Sequence, residues 1–98
     1  MTINKQKDGS VLTIAVQGRL DTTTAPDLEK EIKTGLDGVT ELIMDFEKLD
    51  YISSAGLRVL LSAQKLMSKQ GSMKVVHVSD LVMEVFEVTG VTDILTIE

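Results

Sequence analysis

The chain has 98 residues, 43% apolar and 26% charged, and 15 acids against 10 bases give it a net charge of −5. That length makes one domain, with a core that needs no metal or disulfide; the acidic balance disfavours nucleic acid, because binding phosphates takes a basic face. With no cysteine, disulfides, thiol catalysis and thiolate metal sites are excluded, and a cytoplasmic protein is expected.

Lys5 and Lys7 precede the apolar run Val11–Val16, which faintly resembles the core of a signal peptide. The run is too short, and Gln17, Gly18 and Arg19 stand where a small-residue cleavage site would be. Nothing approaches the roughly 20 apolar residues of a membrane span, so no direct membrane insertion is expected.

Residues 2–8 alternate weakly, and Asp8-Gly9 is a turn signal ahead of the β-forming run 11–17. The two runs predict a hairpin. Thr22-Thr23-Thr24 then leads into Ala25-Pro26-Asp27. A threonine N-cap, a proline in the first turn and an early acid predict a helix start. Leu28, Ile32 and Leu36 repeat every four residues and share one face. Gly35 and Gly38 end that helix. Residues 41–46 read as a buried strand carrying Leu42, Ile43, Met44 and Phe46, followed by a short polar loop.

A second helix is predicted over about Ala55–Ser68, closed by Gly71. On a 100° wheel, Arg58, Ser62, Lys65 and Lys69 form one solvated stripe. Val59, Leu60, Ala63, Leu66 and Met67 cover the opposite side, with Leu57 and Leu61 at its edge. This apolar arc is wider than a core-facing helix in a small domain usually needs. Val75, Val76 and Val78 predict a strand over about 73–78. Ser79-Asp80 caps a short helix that Gly90 ends, and Ile94, Leu95 and Ile97 predict a last strand. The expected order is β-β-α-β-α-β-α-β. After the hairpin, alternating strands and helices imply parallel pairing through right-handed crossovers. The fold class is α/β, one mixed sheet with helices packed on it.

Few groups here suit catalysis. His77 is the only histidine, expected inside the strand at 73–78 and partly buried. No Gly-x-Ser-x-Gly elbow or phosphate-binding Gly-rich loop is present, so an enzyme is not expected. Asp21, Asp45 and Asp50 could gather at one sheet end and bind a hard cation. The simpler reading has Asp21 turning the chain before the first helix and Asp50 in a solvated loop. Asp45, in a buried-type strand, needs a partner, and the Leu49–Ser54 loop could supply its donors. Neither a metal nor a cofactor is expected. Ser53 and Ser54 stand where strand hands over to helix, among unpaired backbone N–H groups. Such a place suits a helix cap, with Ser53 as the N-cap, a bound anion or a phosphorylated serine.

Asp45-Phe46, Leu49 and the run Tyr51-Ile52-Ser53-Ser54-Ala55-Gly56-Leu57-Arg58 resemble the signature of the STAS domain, and more narrowly of bacterial anti-sigma factor antagonists. Gly18-Arg19-Leu20-Asp21 resembles that family's second motif, Gly-x-Leu-Asp. The resemblance covers essentially residues 1–98. It implies a protein that binds an anti-sigma factor acting also as a serine kinase, frees the sigma factor, and is released once its serine is phosphorylated; a phosphatase reverses this. Aligned on Ala55-Gly56-Leu57, the phosphoacceptor is Ser54, with Ser53, Gly56, Asp21 and Asp45 as its neighbours. Ser53 stands where the family often has aspartate. Leu57, Arg58 and Leu61 are the expected partner contacts, and the free chain is expected to be a monomer. A constitutive subunit of another assembly, such as a lipid-transport complex, without phosphorylation, is the alternative.

Overall fold

The computed structural model describes residues 1–98. The elements are β1 (Thr2–Asp8), β2 (Val11–Leu20), α1 (Ala25–Gly35), β3 (Glu41–Asp45), β4 (Leu49–Ile52), α2 (Ser54–Met67), β5 (Ser72–Val76) and α3 (Asp80–Thr89), followed by a 3₁₀ turn at Val91–Asp93. β1 and β2 form the expected hairpin, with Asp8 opposite Val11. Gly9, at φ +62°, takes the first of its two loop positions, as in a type II′ turn.

β2 is the hub. It pairs antiparallel with β1 and parallel with β3, and β5 lies parallel on the far side of β3. Partnered residues point to the same face of a sheet. Leu12, Leu42 and Met73 form one such row, and Ile14, Met44 and Val75 the next. All six are buried. The opposite face carries Thr13, Ile43 and Lys74, then Ala15, Asp45 and Val76, and none of these is fully buried. The helices therefore cover one face only. α2 packs on α1, β4 and β5, and α3 packs on β4.

This placement explains the wide apolar arc of α2. Leu57, Val59, Leu60, Ala63 and Met67 are all buried, because neighbours surround the helix on three sides. Arg58, Lys65 and Lys69 stay exposed, as their stripe predicts. The core contains no buried polar or charged residue. Each large side chain within it contributes about 1.5–3 kcal/mol.

Two strand expectations need correction. The polar loop after β3 contains a strand, β4, pairing parallel with the end of β2. Gly18 faces Leu49, Arg19 faces Tyr51 and Leu20 faces Ile52, so Asp50 is the extra residue of a bulge. The bulge places two exposed residues, Asp50 and Tyr51, between buried Leu49 and Ile52. That breaks the two-residue period by which a strand is read. At the other end, the expected last strand is a single bridge from Ile97 to Val75. The 3₁₀ turn after Gly90 consumes the chain, leaving Ile94 exposed and only Leu95 buried.

The loop after α2 is stapled to the one before β3. Gln70 donates through Nε2 to the carbonyls of Leu36 (2.7 Å) and Val39 (2.6 Å). Gly71 passes so close to Thr40 that a Cβ would lie 1.9 Å from its carbonyl oxygen. Gly71→Ala must therefore move backbone. It is expected to cost about 1–3 kcal/mol in urea unfolding, and a variant as stable as the parent would contradict this close approach.

Candidate functional site

The two sequence motifs meet at one end of the sheet. β4 aligns beside the end of β2, and the N–H of Ser53 donates to the carbonyl of Leu20 at 2.9 Å. This sets the start of α2 next to the turn into α1. Gly56 makes the contact possible. A Cβ there would fall 2.8 Å from Leu20 Cγ and 2.9 Å from Ile52 Cγ1. The glycine is needed for close packing of the helix head, not for unusual backbone angles.

Ser53 occupies the N-cap position with extended backbone, and its carbonyl accepts from Leu57 N–H at 3.0 Å. Its hydroxyl does not cap. Ser53 Oγ is buried and has no hydrogen-bond partner, so the expected side-chain cap is corrected to a backbone one. Ser54 is the first helical residue and is exposed. No acid lies in that first turn. Its hydroxyl thus sits at the positive end of a 14-residue helix with no nearby first-turn carboxylate.

Asp21 turns the chain as expected. Its Oδ1 accepts from Thr23 N–H (3.0 Å), Thr23 Oγ1 (2.8 Å) and Thr24 N–H (3.2 Å). The Thr23 hydroxyl chiefly, helped by these N–H groups, holds its carboxyl below the usual range. Thr24 is the cap of α1 by position only. Its hydroxyl accepts from Asp21 N–H and donates to the Arg19 carbonyl, locking the turn. Arg19 lies 4.1 Å over the Tyr51 ring, a cation–π contact across β2 and β4.

Of the expected partner contacts, Arg58 is exposed and Leu61 half-buried, whereas Leu57 is only 6% exposed and belongs to the core. Beside Ser54, a shallow depression is lined by Thr22 from the turn before α1, by Pro26 from its first turn, and by Ala55 and Arg58 from α2. Sequence reasoning missed Thr22, Pro26, Arg19 and Tyr51 as site neighbours. The signal that could have found them is the pairing of the two motifs, which the unread β4 concealed.

Asp45 lies apart from this constellation, on the open face of the sheet. Its expected donors in the Leu49–Ser54 loop are replaced by His77 Nδ1 (3.0 Å) and Glu47 N–H (3.1 Å). His77 is not inside a strand. β5 ends at Val76, and His77 takes φ +57° with its side chain 59% exposed. Asp45 does not gather with Asp21 and Asp50. Instead Asp45, Glu47 and His77 offer three ligand-type atoms within 4.8 Å of one another. Partial burial pushes Asp45 up, but the hydrogen bonds from His77 and Glu47 outweigh it and hold it below 3.8. The same bond to Asp45 raises His77 above 6.5.

A family model, the STAS domain, matches residues 2–98. The chain belongs to the STAS domain family. BtrV of Bordetella bronchiseptica, provisionally named an anti-sigma factor antagonist, is 36% identical over 99 residues, covering 99% of this chain and 85% of that protein. The anti-sigma-B factor antagonist of Listeria monocytogenes is 32% identical over 97 residues, covering 96% and 84%. Among solved structures, the Bacillus cell fate determinant SpoIIAA in its phosphorylated form superposes with a TM-score of 0.77 at 20% identity, covering 99% of this STAS domain and 91% of that chain. The single α/β domain with its mixed sheet and three helices is the fold this chain shares with that structure. No helix of this STAS domain is long and apolar enough to cross a membrane.

Two outcomes follow from the geometry. Gly56→Val is expected to lose about 1–3 kcal/mol by pushing the head of α2 off Leu20 and Ile52; unchanged thermal unfolding would contradict the close contact. The His77 ring, followed by NMR, is expected to titrate above 6.5 and to fall back in Asp45→Asn. Its contribution to stability is full below about pH 6.5 and fades as pH rises through the raised value. That of Asp45 is full above about pH 4 and fades as pH falls through its lowered value. Asp45→Asn should therefore destabilise more near pH 5, where both contributions are full, than at pH 9, where only that of Asp45 remains. A His77 that titrates at or below 6.5 in the parent would overturn the pairing.

Proposed function

We propose that this chain is an anti-sigma factor antagonist. In this reading it binds an anti-sigma factor that is also a serine kinase, and phosphorylation of Ser54 ends the binding. The observation that carries it is an exposed Ser54 at the head of α2, held beside the sheet by the hydrogen bond from Ser53 N–H to the Leu20 carbonyl. Relatives named anti-sigma factor antagonists support the binding role, and the phosphorylated form of SpoIIAA supports phosphorylation on this fold.

The physics of the switch is local. Phosphorylation adds about −1.5 to −2 charges and strong acceptors. The helix N-terminus favours an anion, so the domain stays folded. A partner packed over the loop meets a hydrated dianion and is displaced. Arg58 and Leu61 supply the charged and apolar parts of the contact, and Leu57 fixes them from beneath. A phosphatase restores the binding form. The role is regulatory and non-enzymatic, exercised in the cytoplasm by a chain that is monomeric when free.

Calorimetric titration with the cognate anti-sigma factor tests this. Ser54→Ala is expected to bind as the parent does and to resist the kinase. Ser54→Asp is expected to bind at least tenfold more weakly while remaining folded. Full binding by Ser54→Asp, or by both Arg58→Glu and Leu61→Asp, would overturn the assignment. Permanent binding to a different assembly with Ser54 never modified would favour the constitutive-subunit reading.

A further inference from the structure

The chain's net charge is not spread over its surface. After Lys74 there is no lysine or arginine, and Asp80, Glu84, Glu87, Asp93 and Glu98 are the only acids there. The remaining 10 acids balance the 10 bases, so the whole excess of −5 belongs to this last segment. Glu98 pairs with Lys74. Asp80, Glu84, Glu87 and Asp93 have no basic partner.

α3 arranges these acids against exposed apolar side chains. Leu81, Val85 and Val88 are spaced i, i+4, i+7 and form one row. Asp80, Glu84 and Glu87 have the same spacing one residue earlier, so their row runs parallel, about 100° around the helix. Val82 and Phe86, on the other flank, are the residues that enter the core. Leu81 is 58% exposed and Val88 81%. With Glu84, Val85 and Thr89 they line a shallow groove of about 290 Å³. Val85 is half-buried against the core, but leaving Leu81 and Val88 in water gains nothing for this domain, whose core is complete without them.

We propose that the outer face of α3 is a second docking surface, and that it takes a basic amphipathic helix of another protein. The apolar row receives leucine- or valine-type residues, and the acidic row pairs with lysines or arginines beside them. Charge selects this occupant over the others. A second copy of the chain would bring more acid and no base from this segment. Nucleic acid and anionic bilayers are repelled. None of the lining residues belongs to the Ser53–Leu61 stretch, so this surface is distinct from the phosphorylation switch.

The test is NMR titration of the full chain with a synthetic helix carrying one leucine row flanked by lysines. Shifts are expected at Leu81, Glu84, Val85, Val88 and Thr89. Binding should fall at least tenfold in Val88→Ser and, separately, in Glu84→Lys. Both positions are exposed, and retention of the fold is read from the same spectra. Ser54→Asp should bind the peptide as the parent does. No binding, or shifts centred elsewhere, would overturn the proposal. So would equal binding of the same leucine row flanked by aspartates, because charge would then play no part. Self-association that Val88→Ser abolishes would also overturn it, making a second copy the occupant.

Discussion

β4 joins the end of β2 through only three residue pairs, yet the candidate site is built on that pairing. It brings Ser53 N–H to the Leu20 carbonyl and ends the strand where α2 must begin. Gly56 then lets the helix head settle onto Leu20 and Ile52. Without this contact, Ser54 would be a hydroxyl on a loop. With it, Ser54 stands at a fixed point on a helix N-terminus, where an added phosphate meets a favourable dipole. Fold and proposed switch are coupled through a few ångströms of packing.

Much of this was legible in the chain because the local signals agreed with one another. The Asp8-Gly9 hairpin, the Ser79 cap and the Gly90 stop all stand where their chemistry puts them. β4 was hidden because its bulge breaks the alternation that identifies strands. The free hydroxyl of Ser53 was hidden for a different reason. A serine at an N-cap normally bonds to the helix N–H groups, but here its oxygen is turned into the protein. Such an orientation is set by packing, which sequence spacing does not encode. His77 was misread because a β-branched residue on each side suggests a strand interior. In the structure it turns the chain out of β5 and reaches back to Asp45 on the open sheet face.

The molecule therefore separates its tasks by place. The covered face of the sheet supplies stability, with no polar or charged residue among the buried ones. The sheet end between β2 and α2 presents Ser54, and α3 presents an acidic and apolar edge of its own. On the two proposals, a covalent charge added at Ser54 would alter the surface at the head of α2 and leave that of α3 unchanged. A domain of 98 residues would in this way hold one partner conditionally and another steadily.

The central claim is that Ser54 is the modified residue. Intact-mass spectrometry with peptide mapping, on protein isolated from its native cells, tests it most directly. The account predicts one phosphate on the Ile52–Arg58 segment, assigned to Ser54 and lost in Ser54→Ala. A phosphate on Ser53 instead, or an unmodified chain under every growth and stress condition, would contradict it.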